Sequence, residues 1–139
     1  MTASAPNWLP MATALHRLQD GTSHFDWFFG QTADTSDPDA RTARTFRCAL
    51  DPRGARTGWE SPLEALTDHR AHYLTTTTAR HLADGSTVTP LQRGQWMNAG
   101  IDEIIIRWNG DGALQRIRLI GQPPTRAECT ASGVSLGAV

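Results

Sequence analysis

One stretch of the sequence decides the fold: Ile104-Ile105-Ile106-Arg107-Trp108-Asn109-Gly110-Asp111-Gly112-Ala113-Leu114-Gln115-Arg116-Ile117-Arg118-Leu119-Ile120. Its two ends, residues 104–108 and 113–120, are apolar runs of alternating character, which is the pattern of half-buried β-strands. Residues 109–112 between them combine Asn, Asp and two glycines, and these residue types form tight hairpin turns. The stretch therefore predicts a β-hairpin, and with it an antiparallel sheet in the second half of the chain.

Short strands separated by turns account for much of the remaining sequence. The expected strands lie at residues 13–18, 44–50, 86–89 and 94–96. Residues 31–42, rich in Asp and Thr, are expected to form a polar surface loop. Ser61 as an N-cap and Pro62 at the first helical position predict a short helix over residues 61–66. Many strands with one or two short helices indicate an all-β barrel or sandwich, and we expect a compact antiparallel β-barrel with a polar cavity.

The chain of 139 residues has the length of one globular domain. We expect residues 1–11 to form a flexible leader, residues 12–121 to form the barrel, and residues 122–139 to form a tail with little core of its own. The sequence shows neither a secretory leader nor an apolar run of membrane-spanning length. We therefore expect a cytoplasmic protein without membrane contact, in which Cys48 and Cys129 stay reduced.

The charge balance limits the partners of this protein. The formal net charge is −1, so the chain lacks the overall positive field of a protein that coats nucleic acid without specificity. All 13 basic residues are arginine. Two explanations stay open at this stage: a genomic codon bias, and a use of planar guanidinium groups to bind phosphate in a bidentate manner.

The segment His24-Phe25-Asp26-Trp27-Phe28-Phe29 combines an imidazole and a carboxylate with a run of aromatic residues. In a strand, residues two apart share a face, so His24 and Asp26 lie on one side and the aromatic residues Phe25 and Trp27 on the other. If residues 18–22 form a hairpin turn, His16 lies opposite His24 on the preceding strand. Two imidazoles and one carboxylate suit zinc or manganese. The alternative is that these are ordinary polar residues of the surface or core.

A second group of chemically active residues lies in Asp68-His69-Arg70-Ala71-His72-Tyr73. His69 and Tyr73 are four residues apart and share a face on a helix and on a strand alike. Imidazole, guanidinium and phenol groups together suit an anion, since they donate hydrogen bonds to phosphate oxygens. The alternative is a charged sheet edge with a half-buried tyrosine.

Taken in order, these motifs resemble the 3′-phosphoesterase domain of bacterial DNA ligase D and its stand-alone relatives. In that family a histidine is followed, after a short turn, by a His-aromatic-Asp motif, which His16 and residues 24–26 match. A strand with basic and aromatic residues comes next, similar to residues 44–47, and then a DHxxxY segment, matched by residues 68–73. A glycine-led strand that ends near an aromatic residue is similar to residues 85–96. The resemblance extends over the whole predicted barrel.

The resemblance implies a β-barrel whose cavity binds a divalent metal ion. Manganese is the favoured ion and zinc the alternative. Carried over residue by residue, His16, His24 and Asp26 would be the metal ligands. The ion would hold the 3′-terminal phosphate or ribonucleotide of a DNA end.

The resemblance also implies roles for five residues around the ion. His69 would contact the scissile phosphate from the opposite side, as a transition-state stabiliser or proton donor. Tyr73 would hydrogen-bond a phosphate oxygen. The remaining positive charge would come from Arg44, Arg47 or Arg70.

These inferences predict a metal-dependent phosphodiesterase or phosphomonoesterase that acts on a nucleic-acid 3′ end or a small phosphate ester, with a DNA ligase or polymerase as its partner. Ligase-linked members carry an arginine two residues after the motif aspartate, where this chain has Phe28. One alternative is therefore a non-catalytic barrel that binds a small anion, a nucleic-acid end or a protein. Another is a plain structural β-domain in which the histidines have no role.

Overall fold

The computed structural model describes residues 7–133, which form nine β-strands and one short helix. The strands are β1 Leu9–Arg17, β2 Ser23–Gly30, β3 Ala43–Cys48, β4 Glu60–Ala65, β5 Arg80–His81, β6 Thr87–Asn98, β7 Glu103–Trp108, β8 Leu114–Ile120 and β9 Arg126–Ser132. The helix α1 is His72–Thr75, and a single 3-10 turn covers Pro52–Gly54. Among the described residues, no helix has the length and apolar character needed to span a membrane.

Eight of these strands close into an antiparallel barrel. Hydrogen bonding connects them in the order β1-β2-β3-β4-β9-β8-β7-β6, and β6 pairs with β1 to complete the ring. The two-residue strand β5 extends the sheet beyond β6. The predicted all-β barrel is confirmed.

The hairpin that the opening stretch predicts is confirmed as β7 and β8. These strands pair in antiparallel register, with Ile106 opposite Gln115. Gly110 and Gly112 have φ angles of 93° and 69°. The turn therefore uses backbone conformations that glycine adopts without a steric cost.

Large apolar side chains fill the barrel interior. Trp27, Phe46, Ile106 and Ile117 are at most 1% exposed and belong to one cluster that draws on seven of the eight barrel strands. Because Trp27 and its neighbours on the same face point inward, the alternate residues of β2 point outward. The expectation that His24 and Asp26 line a polar cavity inside the barrel is therefore wrong, and the polar groups gather on the outer face.

The second apolar cluster lies on that outer face. It includes Ala12, Phe28 and Ala43 from neighbouring strands, and Leu74 from α1 packs against them. The segment that carries the helix therefore covers part of the barrel wall. His69 joins the wall through mutual backbone hydrogen bonds with Ala43.

The predicted helix over residues 61–66 is wrong, because this segment forms β4. Burial alternates along it: Ser61 and Leu63 are buried, while Pro62 and Glu64 are exposed. This two-residue period matches the barrel wall, whereas a helix would have buried residues three and four apart. The helix of the structure, α1, lies further along the chain.

The predicted tail also contains barrel structure. Within residues 122–139, β9 pairs with β8 on one side and with β4 on the other. Ala127 and Cys129 of this strand are almost fully buried. The expectation of little core is therefore wrong for the described part of this segment. The sequence did not predict this strand, because its small side chains give only a weak hydrophobic pattern.

Two strands are longer than the sequence predicts. β1 begins at Leu9 and includes Pro10, so the last residues of the expected leader belong to the barrel. Pro10 lies near the start of the strand, where the loss of one backbone donor is tolerated. The strands expected at residues 86–89 and 94–96 are parts of the single strand β6, which bridges β1 and β7.

Candidate functional site

Three predicted metal ligands converge beside the turn of the hairpin that β1 and β2 form. His16 lies directly opposite His24 in the strand register. His16 Nδ1 is 3.2 Å from His24 Nε2 and 3.6 Å from Asp26 Oδ2, and His24 Nε2 is 3.1 Å from Asp26 Oδ1. One donor atom from each residue lies within 4.8 Å of the others. The hairpin predicted over residues 18–22 is therefore correct, and it produces this convergence.

The three residues of the site differ in exposure. Asp26 is 3% exposed and His24 is 8% exposed, so both lie against the barrel wall. The side chain of His16 is more open, at 17%. His16 is therefore the most accessible of the three residues.

A hydrogen-bond chain determines which nitrogen of His16 faces the site. Ser86 Oγ donates its single proton to Asp84 Oδ1 at 2.6 Å. The same oxygen lies 3.1 Å from His16 Nε2, so it accepts a hydrogen bond from Nε2–H. In the neutral imidazole, Nδ1 then carries the lone pair, and Nδ1 is the atom that faces His24 and Asp26. The chain thus prepares His16 as a ligand, as carboxylate-histidine pairs do around metal ions.

The geometry of the three donors fits a metal ion. Ligands held about 2.0–2.2 Å from one ion lie about 3.0–3.5 Å from each other, which is close to the observed separations. Asp26 Oδ1 is buried and makes no hydrogen bond to any described residue, although His24 Nε2 is near. A buried carboxylate oxygen without a partner is costly, and a cation would satisfy it. Imidazole and carboxylate donors together suit manganese or zinc.

Burial favours the neutral forms of both inner residues. It raises the pKa of Asp26 to about 7, against the opposing effect of the Arg47 charge. Burial together with the Arg47 charge lowers the pKa of His24 to about 4. The short contact between Asp26 and His24 is therefore not a strong ion pair near neutral pH. A divalent cation would replace this neutral state with a carboxylate and two unprotonated imidazoles.

Arg47 is the predicted phosphate-binding arginine that borders the site. It lies opposite Asp26 in the register of β2 and β3. Its positive charge acts to lower the pKa of Asp26, His24 and His16. Its Nε is buried without a hydrogen-bond partner among the described residues, and its Nη1 lies 3.6 Å from Glu64 Oε2. Arg47 and His24 also line a groove of about 340 Å³ that runs over β3 and β4.

His69 and Tyr73 lie on the same outer face and are joined by an aromatic side chain. The Tyr73 ring stacks on Phe28 at 5.2 Å, and the His69 ring lies 5.6 Å from Phe28. His69 Nδ1 is 2.8 Å from the carbonyl oxygen of Thr67, which assigns the Nδ1 proton and leaves Nε2 open. Burial lowers the pKa of His16, and the charge of a protonated His69 would act in the same direction.

The other two predicted arginines have different surroundings. Arg44 extends over the Phe46 ring, 4.9 Å from its centre, at the opposite end of the barrel. Arg70 Nη1 lies 3.3 Å from Asp39 Oδ1 on the surface loop. Arg44 does not share the outer face with Arg47, because alternate residues of β3 face opposite sides of the wall. Arg70 lies near the other predicted phosphate-binding residue, with its guanidinium 5.9 Å from the centre of the Tyr73 ring.

Two residues of the site were missed by the sequence reasoning. Both follow β5 in the chain: Ser86, 70 residues after His16, contacts its ring, and Asp84 accepts the hydroxyl proton of Ser86. A local signal existed: Asp84-Gly85-Ser86 is a typical Asx turn, and Asp84 Oδ1 accepts from the Ser86 backbone N–H at 2.9 Å. The contact with His16 depends on the pairing of β1 with β6, which no local pattern shows.

Comparison with known proteins gives no assignment: no family model matches this chain, and neither a curated protein nor a solved structure matches it.

Proposed function

We propose that this protein is a metal-dependent phosphoesterase that acts on 3′-phosphate or 3′-ribonucleotide ends of DNA. In this proposal it is a divergent, stand-alone member of the 3′-phosphoesterase family of DNA ligase D. The observation that carries the proposal is the convergence of His16 Nδ1, His24 Nε2 and the Asp26 carboxylate, with one carboxylate oxygen buried and without a partner. The order of the motifs along the sequence, which resembles that of the 3′-phosphoesterase family, is the reason for proposing phosphate-ester hydrolysis.

Each residue around the site would have a separate role in the reaction of a phosphate ester. A divalent cation at the three ligands would polarise a phosphoryl oxygen. Arg47 would donate hydrogen bonds to phosphate oxygens, with the charge-assisted strength of a guanidinium group. A water molecule would attack the phosphorus as the ester bond breaks, and the imidazolium form of His69, whose Nδ1–H is held by the Thr67 carbonyl, would give its Nε2 proton to the departing oxygen. The Tyr73 hydroxyl would hold a further phosphate oxygen.

A non-catalytic binding module is the second candidate. Phe28 favours it, because this side chain occupies the position of the family's arginine and is 1% exposed beneath the Tyr73 ring. It contributes no charge to a phosphate. In this version the same three ligands and Arg47 hold a small anion, a nucleic-acid end or a protein partner without turnover.

The proposal also covers the cellular location and the partner of the protein. We place it in the cytoplasm, where the free and buried thiols of Cys48 and Cys129 would stay reduced. A DNA ligase or polymerase would act on the end that the phosphoesterase has processed.

His24→Ala tests the proposal in the full chain. We expect it to abolish Mn²⁺ binding, measured by isothermal titration, and to reduce phosphate release from a 3′-phosphorylated oligonucleotide at least 100-fold, since one of three ligands is lost. His81→Ala is the matched control, because His81 is exposed and its ring lies at hydrogen-bond distance from Thr87 alone among residues 7–133. Zn²⁺ is titrated in parallel to identify the preferred ion.

The outcomes separate the candidates. Metal binding with phosphate release in the parent chain, both lost in His24→Ala, supports the phosphoesterase. Metal binding without phosphate release supports the binding module. If His24→Ala retains metal binding and phosphate release at the parent level, the central assignment is wrong.

A further inference from the structure

A second recess lies at the end of the barrel away from the histidines. It is a cavity of about 90 Å³ at the rim formed by the ends of β2, β6 and β8. His24 and Phe29 stand five residues apart on β2, about 16 Å along the strand, and their side chains lie on opposite faces of the sheet. The recess is therefore separate from the proposed metal site.

Aromatic rings line this recess. Phe29 makes edge-to-face contacts with Trp96 at 5.5 Å and with Phe46 at 5.9 Å. Trp96 Nε1 donates to the carbonyl oxygen of Gly30, so the indole is held in place and its ring is left to form the wall. Ile104 and Leu119 complete the apolar lining. A closed apolar cavity that admits benzene measures about 150 Å³, so this smaller recess would hold part of an aromatic ring and leave the rest at its open rim.

The rim carries one positive charge that no described carboxylate neutralises. Arg44 forms no ion pair within residues 7–133, and its guanidinium lies over the Phe46 ring. The two acidic groups at the rim are already paired, since Asp102 contacts Arg118 and Glu103 contacts Arg116. A planar guanidinium above an aromatic wall is suited to bind a carboxylate in a bidentate manner.

An exposed apolar side chain marks the same rim. Ile101 lies between β6 and β7, lines the recess and is fully exposed, at 103%. Isolated apolar residues are common on surfaces, but this one stands beside an aromatic recess and would cover a ring placed there.

We propose that this recess is a binding site for a small aromatic carboxylate. The ring enters between Phe29, Trp96 and Leu119, and the carboxylate accepts hydrogen bonds from the Arg44 guanidinium at the rim. The site is independent of the proposed phosphoesterase activity. Both the ring and the carboxylate of the ligand are required, because the aromatic walls contact the ring and Arg44 binds the carboxylate.

Titration of the full chain with benzoate tests this proposal, with the resonance of the Trp96 indole N–H as the readout. We expect benzoate to shift this resonance saturably, whereas acetate lacks the ring and benzyl alcohol lacks the charge, so each binds at least 10-fold more weakly. Arg44→Gln should weaken benzoate binding at least 10-fold. The matched control is Arg56→Gln, at an exposed arginine outside this recess.

A Trp96 resonance that stays unchanged up to 20 mM benzoate would overturn the proposal. Equal binding of benzoate by the parent chain and Arg44→Gln would also overturn it, since the charge would then play no part. Thermal unfolding of each variant verifies that the barrel is intact, and Mn²⁺ binding should be the same in all of them.

Discussion

Single atoms of Ser86 and Asp26 determine what the candidate metal site can do. Ser86 Oγ selects the tautomer of His16, and its hydrogen bond to Asp84 leaves it no other proton to donate. Asp26 Oδ1 is held in a buried position without a hydrogen-bond partner among the described residues. Such an arrangement is expensive for folding and useful for binding a cation, so stability and function make opposite demands on these residues.

Ser86→Ala should weaken Mn²⁺ binding about 10- to 100-fold, although Ser86 is not itself a ligand. The reason is that His16 loses the acceptor that keeps the proton on Nε2. Isothermal titration measures the affinity, and ¹⁵N chemical shifts of the His16 ring report the tautomer. A purely structural role would lower the unfolding midpoint in urea and leave the tautomer unchanged, and that result would contradict this prediction.

Asp26→Asn should stabilise the protein at pH 8 in the presence of a chelator, by about 2–4 kcal/mol. Burial raises the folded-state pKa of Asp26 to about 7, above the ordinary value of 3.8. The unfolded chain therefore ionises first, and stability is lost as the pH rises from about 4 to about 7. Asparagine carries no charge and avoids this loss.

Urea unfolding at pH 4 and pH 8 measures this effect. The gain from Asp26→Asn should be small at pH 4, where the carboxyl group is neutral in the folded chain. Saturating Mn²⁺ should reverse the order at pH 8, because only the parent chain keeps all three ligands. A variant that is less stable than the parent at pH 8 with chelator would contradict the prediction.

At the scale of elements, the strand pairs hold the site in register. β1 lies between β2 and β6, and this position brings His16 to His24 on one side and to Ser86 on the other. The contact between β6 and β7 is especially close at Gly94, where an added Cβ would lie 2.2 Å from the backbone oxygen of Arg107. Backbone cannot yield as a flexible side chain can, so only glycine fits here.

Gly94→Ala should therefore destabilise the barrel, by about 2–4 kcal/mol, because β6 and β7 must separate to admit the methyl group. Gly54→Ala is the matched control, since a Cβ at Gly54 would meet nothing within 4 Å. We expect that control to change stability by less than about 1 kcal/mol. Urea unfolding compares the two, and an equal effect of both substitutions would refute the steric explanation.

At the scale of the whole molecule, ring closure depends on β9. This strand joins β8 to β4, and without it both would present unpaired backbone groups. Ile117 and Leu119 of β8 would also lose their cover on the side of Ala127. The barrel is therefore one cooperative unit that includes residues beyond the resemblance to the phosphoesterase family.

A chain that ends at residue 121 should fail to fold cooperatively, because it lacks β9. Circular dichroism against temperature should show no sigmoidal transition for this shorter chain and a clear one for the full chain. A retained transition with the midpoint of the full chain would show that β9 is dispensable.

Local patterns in the sequence determined a large part of this protein. Alternation around residues 109–112 is sufficient for the β7–β8 hairpin, since a turn of Asn, Gly and Asp between apolar runs has few other solutions. The spacing of His24 and Asp26 placed them on one face, and the short turn after His16 brought His16 opposite His24. These predictions held because neighbouring strands in an antiparallel hairpin are set by short-range geometry.

The tertiary structure decided the rest, because it depends on contacts between distant residues. Because the barrel closes, residues 61–66 contribute to β4 rather than to the expected helix. Closure also places the small residues of β9 in the barrel wall. It also filled the interior with apolar side chains and so put His16, His24 and Asp26 on the outside. Finally, it separated Arg44 from Arg47 and joined Ser86 to His16. No local pattern contains these pairings, since their free energy is gained only when the barrel closes.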